Sequence, residues 1–289
     1  MDKVAVIGGS GFIGRHLPER LRDFIVSSLD LPEADIRNAA LIGERIAMIK
    51  PDAVVHLAAL LGGVGSQNIA ELFRTNFAGT LNLLEACRMA GVKAFVFASS
   101  LTVHGSNDPA HPNMLDSPFR PIHAYGASKA AAEHAIEEYA RRFGMTALAL
   151  RPTMVLGDTP TPSAAIEFVR AGLSGEPIAV YGSGMHEREW LFVDDAADGF
   201  RCAIDFARTA APGFYQFFLS GNRIAMADLA RLCAEQTGGT IKFTAPTAKS
   251  FTLTCDTADS DARLGWQPKI ELPEIIARLI ALERQRRAV

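Results

Sequence analysis

Tyr125-Gly126-Ala127-Ser128-Lys129 sets a phenol and an ammonium four residues apart at the start of an Ala-rich helical pattern. Positions i and i+4 of a helix share one face, one turn apart, so the two groups can act together in proton transfer. To serve as a base near neutrality, a tyrosine must fall from a pKa of ~10 to ~7, about 4 kcal/mol of differential stabilisation. One unit charge ~5 Å away at an effective dielectric of ~20 supplies about 3.3 kcal/mol. Lys129 therefore needs a second positive charge to share the task. Taken singly, a Tyr and a Lys one turn apart are an ordinary exposed pair. Ser99-Ser100 shifts the balance, because it ends the apolar run 94–98 and ligands of parallel sheets gather at the carboxyl ends of strands. Ser100 is expected to hold a reacting oxygen; without that placement two serines would be turn formers.

The run Val4-Ala5-Val6-Ile7 passes directly into Gly8-Gly9-Ser10-Gly11-Phe12-Ile13-Gly14 and then into a helical pattern. The first glycine permits a tight turn, the second lets backbone approach a pyrophosphate, and the third lets a helix pack closely. The N-terminus of that helix is expected to supply unpaired N–H groups and positive dipole. Strand before and helix after separate this loop from a merely structural glycine turn. Asp30 ends the second strand run, where a carboxylate accepts both hydroxyls of an adenosine ribose and repels a 2′-phosphate. The cofactor implied is NAD rather than NADP, with Arg37 the nearest basic side chain opposing that choice. An oxidised nicotinamide ring would be the second positive charge that Tyr125 needs.

The elements that must position these groups alternate in βαβ rhythm. Strand runs at 4–7, 24–29, 53–57, 94–98 and 146–150 are separated by segments of helical period. One of these, 69–89, sets Leu72, Phe73, Phe77, Leu81 and Leu84 along a stripe. Parallel strands need such crossovers and are covered on both faces. The fold class expected is α/β: a Rossmann-type, doubly wound parallel sheet with a smaller α/β C-terminal lobe. From Gly157 the rhythm degrades into Asp158-Thr159-Pro160-Thr161-Pro162. The division expected is a dinucleotide-binding domain over 1–156, with a return at about 186–208, and a substrate lobe over 157–185 and 209–289.

Composition sets outer limits. The 289 residues carry 29 Lys+Arg against 32 Asp+Glu, a net charge of −3, which excludes a nucleic-acid surface and favours a small-molecule partner. Apolar content of 48% and charged content of 21% suit a soluble chain with a sizeable core. Cys87, Cys202, Cys233 and Cys255 lie far apart with no C-x-x-C pair, so neither a zinc cage nor a disulfide framework is expected. No export signal or membrane span is visible, and a cytoplasmic protein is expected. There is no G-K-[ST] after the glycine loop, no H-E-x-x-H, and no regular metal spacing among His104, His111 and His123.

The chain resembles the extended short-chain dehydrogenase/reductases, in their NAD-dependent epimerase/dehydratase branch. Beside the glycine loop, Ser99-Ser100 and Tyr125-x3-Lys129, the resemblance runs through Asp35-Ile36-Arg37, His56-Leu57-Ala58-Ala59 and Asn76-Phe77-Ala78-Gly79-Thr80 with Asn82-Leu83-Leu84-Glu85. It continues in Arg151-Pro152, in the segment REWLFVDDAADG over 188–199, and in Leu264-Gly265-Trp266-Gln267-Pro268. The resemblance implies that Tyr125 is the proton-transferring base, that Lys129 tunes it and binds the nicotinamide ribose, and that Ser100 bonds the substrate oxygen. For the cofactor it implies Gly8, Gly11, Phe12, Ile13, Gly14 and Asp30, with Asp35 and Ile36 flanking the adenine and Leu57, Ala58 and Ala59 lining the site. Asn76, Ala98, Ser99, Pro152 and Val155 complete that set. Leu61, Ser100, Thr153 and Arg188 are implied for the substrate, and the loop Gly62-Gly63-Val64-Gly65 would border its pocket. A homodimer is implied too, through 69–89 and the small-residue face at 130–132.

The pattern also breaks. Epimerases of nucleotide sugars carry Asn where this chain has Met154, and an arginine upstream of the final Leu-Gly-Trp segment has no match at 249–256. His104 stands where a tyrosine is usual and is expected to be a satisfied polar residue. The leading expectation is a nucleotide-sugar 4-epimerase retaining NAD. The alternatives are an NAD-dependent dehydrogenase of a free sugar, sugar acid or other small hydroxy compound, and a non-catalytic dinucleotide-binding regulator.

Overall fold

A computed structural model describes residues 2–62, 68–158, 163–247 and 250–287. Its strands are β1 Lys3–Ile7, β2 Ile25–Leu29, β3 Ala53–His56, β4 Ala94–Ala98, β5 Thr146–Pro152, β6 Met154–Leu156, β7 Ile178–Tyr181, β8 Glu187–Phe192, β9 Gly213–Leu219, β10 Asn222–Ala225 and β11 Ile241–Thr244. Its α-helices are α1 Leu17–Arg20, α2 Ala39–Ile49, α3 Ile69–Phe73, α4 Gly79–Ala90, α5 Ala124–Phe143, α6 Ala164–Leu173, α7 Val193–Thr209, α8 Met226–Thr237, α9 Ala258–Leu264 and α10 Leu272–Arg287. Six strands form one parallel sheet in the order β2-β1-β3-β4-β5-β9. Two small sheets, β10-β8-β6 and β11-β7, stand apart from it.

The alternation of side chains explains why the large sheet is covered twice. Along β1, Val4 and Val6 enter one core with Leu17, Leu21, Phe200 and Ile204, whereas Ala5 and Ile7 enter the other with Ile42, Ile46, Leu83 and Ile136. In β4 the same split separates Ala94 and Val96 from Phe95 and Phe97. Helices α1 and α7 thus cover one face, and α2, α4 and α5 the other. The strand order turns around β1, since β2 lies to one side and β3 to the other. That reversal opens a crevice at the carboxyl ends of β1 and β3, where such sheets bind ligands.

Three local readings change. The helix after the glycine loop is a 3₁₀ turn, Gly14–His16, followed by a single α turn. Pro18 has no N–H to give the carbonyl of Gly14, which is taken by Leu17 instead. The run 69–89 is one helical rod interrupted by a π turn at Arg74–Ala78. Finally, β9, expected in the smaller lobe, is the sixth strand of the large sheet, while β8, expected in the return, belongs to a small one. Phe217 and Leu219 of β9 join the same core as Leu148 and Leu150, and that long-range pairing leaves no mark in local pattern. Residues 159–162 of the Pro/Thr stretch lie outside the described residues.

Candidate active site

At the end of β1 the chain turns through Gly8 at φ +84°. A Cβ there would stand 2.7 Å from the backbone nitrogen of Ala58, so only glycine lets the loops after β1 and β3 run side by side. The amides of Leu57 and Ala58 both donate to the carbonyl of Ile7, which fixes Leu57, Ala58 and Ala59, all half-buried, along the crevice. Gly11 donates to Gly8. Among the described residues the amides of Phe12 and Ile13 reach no acceptor, leaving them for an anion. Gly14 packs so tightly on Gly8 and Gly9 that a Cβ would lie 2.4 Å from the Gly8 carbonyl.

Asp30 follows β2 and is already organised. Its Oδ1 accepts from the Ser10 amide at 2.8 Å and the Ser10 hydroxyl at 2.7 Å, and its Oδ2 from Ser28 at 2.8 Å. Burial works to raise its pKa, but these hydrogen bonds prevail and hold the carboxyl below its ordinary range. Arg37, the cation that would favour a 2′-phosphate, is bound to Asp35 at 2.7 Å and Glu71 at 2.8 Å. The loop and the carboxylate thus fit an adenine dinucleotide with a free ribose diol.

Tyr125 lies in the first turn of α5, capped by His123, whose Nδ1 accepts from the Gly126 amide at 3.0 Å. Gly126 lets this turn approach the 3₁₀ segment Leu101–Val103: a Cβ would sit 2.5 Å from the Thr102 carbonyl. Ser100 caps that segment, and its Oγ accepts from the Thr102 amide at 3.2 Å and from the Thr102 hydroxyl at 2.9 Å. With both lone-pair directions used, the hydroxyl proton of Ser100 is the part left to donate. Lys129 is 1% exposed, donates to the Ala98 carbonyl at 2.7 Å, and holds its Nζ 5.8 Å from the centroid of the Tyr125 ring. Burial pushes the phenol up to about 12 and draws the ammonium down to about 7, the latter against the opposing charge of Glu133.

The structure brings Ser100, Tyr125, Lys129, the glycine loop and Asp30 to the carboxyl end of the large sheet, but it turns other expected residues inward. Ser99 is 2% exposed and gives its hydroxyl to Glu133. Asn76, projected inward by the π turn, accepts from the Leu60 amide at 2.8 Å and donates to the Leu60 carbonyl and the Ser128 hydroxyl. It ties the loop after β3 to α5 rather than facing the crevice. Ile36 is buried against Gly79, and the Asp35 carboxylate is taken up by Arg37. Pro152 is buried at the end of β5, Val155 is half-buried, and Leu61 is exposed. Thr153 has a buried hydroxyl without a partner among the described residues. Arg188 stacks its guanidinium 4.0 Å from the centroid of Phe251 and, although burial lowers its pKa to about 10, stays cationic at neutrality. Of the glycine loop expected at the pocket border, Gly63, Val64 and Gly65 lie outside the described residues. His104 is buried with its Nε2 2.9 Å from Arg151, but its Nδ1 has no partner among the described residues, so the satisfied polar residue expected is satisfied at one nitrogen only. Sequence reasoning missed Ser10, Ser28, His123, Glu133 and Arg151 as partners of these groups.

A sequence profile described as the NAD dependent epimerase/dehydratase family matches residues 4–216. The chain is 32% identical over 235 residues to a dTDP-glucose 4,6-dehydratase of Neisseria meningitidis, covering 68% of this chain and 66% of the dehydratase, just under two thirds. It is 29% identical over 318 residues to a UDP-glucose 4-epimerase of Mycolicibacterium smegmatis, covering 98% of this chain and 99% of the epimerase. Among solved structures, the Thermus thermophilus UDP-glucose 4-epimerase in complex with NAD matches at TM-score 0.84 and 28% identity over 99% of this chain and 100% of that one. MoeE5 in complex with UDP-glucose and NAD matches at TM-score 0.84 and 29% identity, covering 98% and 99%.

Proposed function

The chain belongs to the NAD-dependent epimerase/dehydratase family, and from that premise we propose that it is a nucleotide-sugar 4-epimerase. The glycine loop after β1, Asp30 and the crevice beside Leu57 to Ala59 would hold NAD, the cofactor of the family, which when bound would supply the hydride acceptor for the sugar carbon and, in its oxidised form, a positive charge to help the phenol. Tyr125 Oη takes the proton of the hydroxyl on that carbon and gives it back in the return half of the cycle. Lys129, charged, supports the phenolate, and Ser100 donates its remaining proton to the sugar oxygen. Thr153 and Arg188 are assigned to the sugar and its diphosphate, and the amides of Phe12 and Ile13 to the dinucleotide pyrophosphate.

The observation that carries the reading is the economy of the acid–base set: Gly126, next to Tyr125, packs on Thr102, two residues after Ser100, and the segment after Ser100 reads Leu101-Thr102-Val103, without a carboxylate. Epimerisation at one carbon needs a single proton carrier. A 4,6-dehydration needs a further acid and base for the neighbouring carbons. Tyr125→Phe is expected to lower kcat by about a thousandfold or more while NAD binding persists; unchanged turnover removes Tyr125 from its role. A second reading rests on Met154, 39% exposed where nucleotide-sugar epimerases carry Asn: net dehydrogenation of a smaller hydroxy compound. Isomerisation of a nucleotide sugar without added cofactor supports the first, and stoichiometric NADH accumulation the second.

The division of labour follows the sheet. The large sheet, through β5 at Pro152, with helix α7 and strand β9, is assigned to the dinucleotide, and the remaining lobe, including β6 and β8, to the sugar. No helix among the described residues is long and apolar enough to cross a membrane, and the four free cysteines suit a cytoplasmic setting. The assembly proposed is a homodimer through the α3–α4 rod and α5. Ala130 and Ala132 are buried within the chain itself, so the face offered by α5 passes instead through Ala127, Ala131 and Ala135, with Ile69 54% exposed beside it on the rod.

A further inference from the structure

Behind Lys129, α5 carries a carboxylate that the chemistry above does not use. Glu133 is 1% exposed and lies one turn beyond Lys129 on the same helix. Its Oε1 accepts from the Ser99 hydroxyl and from Arg151 Nε at 3.1 Å, and its Oε2 from Arg151 Nη2 at 2.7 Å. Arg151, fully buried at the end of β5, spends its remaining nitrogen on the Leu115 carbonyl and His104 Nε2, each at 2.9 Å. Replacing a buried ion pair by apolar side chains is often neutral or stabilising, so core stability is a weak reason for this one. What stands out is where it grips. Two successive turns of α5 seize consecutive residues of β4 and its continuation: Lys129 takes the carbonyl of Ala98, and Glu133 takes the hydroxyl of Ser99. Ser100 is the next residue in the chain.

We propose that Glu133 is a positioning residue for proton transfer: clamped between Arg151 and Ser99, it keeps the Lys129 ammonium charged on the Ala98 carbonyl and fixes Tyr125 and Ser100 in one register. The proposal rests on the roles assigned above to Tyr125 and Lys129. The groups around the ammonium are few. Tyr125 and Glu133 face it from α5, Phe97 from β4 at 4.5 Å to the ring centroid, and His56 from β3, while Arg151 of β5 stands behind Glu133. His56 is uncharged, held to about 3 by burial. Burial draws Lys129 towards neutrality, and Glu133 is the charge that resists it. Without that carboxylate the ammonium is lost at lower pH, and the phenol beside it becomes a weaker acid.

Three variants test the clamp in the full-length enzyme with NAD: Glu133→Gln, the pair Glu133→Gln with Arg151→Met, and Glu133→Asp. The paired variant removes both buried charges, so it is the informative one if the single change leaves Arg151 stranded and the protein unfolded. The readouts are the pH at half-maximal kcat on the acid limb and the ultraviolet difference titration of the phenolate, with Tyr125→Phe as blank. In the paired variant both midpoints are expected to move up by about one pH unit or more, a tenfold loss of turnover at a fixed pH on that limb, while Glu133→Asp stays near the parent. Parental midpoints in the folded paired variant, with only the melting temperature altered, overturn the proposal. Retained turnover in Tyr125→Phe instead overturns the assigned role of Tyr125 and leaves the clamp to be judged by the Lys129 environment alone, through the same titration.

Discussion

Burial leaves Lys129 and Tyr125 poorly poised for proton transfer: the amine is drawn down to about 7 even with Glu133 opposing, and the phenol is pushed up to about 12. Sequence spacing conveys the Coulomb attraction between them but not the desolvation that opposes it, because burial depends on β3, β4 and β5 closing over the helix. One measurable result is the dependence of stability on pH. Lys129 is depressed in the fold from an ordinary 10.5, so the unfolded chain binds more protons between about 7 and 10.5, and stability rises with pH across that window. The penalty is fully present below about 7. Denaturation of the parent across that range is expected to show the rise, and Lys129→Met is expected to flatten it. His104, lowered to about 4 by burial with Arg151 adding to the effect, has the same sign in another window: stability falls as pH drops from about 6.5 towards 4. An unchanged acid slope in His104→Gln would show that this histidine is not responsible.

At the scale of elements, the placement of Tyr125 relative to Ser100 depends on the first turn of α5 lying against Leu101–Val103. Gly126→Ala would place a methyl 2.5 Å from the Thr102 carbonyl, and backbone must yield. The expected outcome is a kcat reduced about tenfold to a hundredfold, with NAD affinity near that of the parent, since misplacement by an ångström is costly in a proton-transfer site; steady-state kinetics and cofactor titration check it. How much of this was legible varies with the physics. Strands β1, β3, β4 and β5 read clearly because strands buried on both faces form near-continuous apolar runs. The π turn at Arg74–Ala78 did not, since one extra residue in a turn leaves the apolar stripe almost intact. The cap supplied by His123 was hidden because histidine is an unusual cap. Glu133 and Arg151, far apart in sequence, carry no sign that both charges are buried. The glycine loop and Asp30 were legible because their chemistry is local to two strand ends.

For the molecule as a whole, the α3–α4 rod and α5 lie side by side, with Ile69 exposed and Ala127 and Ala131 half-buried along their outer edge. If the proposed homodimer forms there, Ala131→Arg is expected to halve the sedimenting mass without altering the fold; a parental mass in that variant would rule out this contact. The cores also divide in keeping with the sheet order. Leu148 and Leu150 of β5 share one with Phe217 and Leu219 of β9, though the chain makes the three small strands β6, β7 and β8 between them. The register of β5 with β9 is unbroken from Thr146 against Gly213 to Pro152 against Leu219. On the ribosome, a nascent chain that has finished β5 therefore carries an open, largely apolar sheet edge until Leu219 has left the exit tunnel. Premature termination anywhere in that interval yields a polypeptide with Tyr125 already made and its flank unsealed, a product for chaperones and proteases rather than a smaller working enzyme.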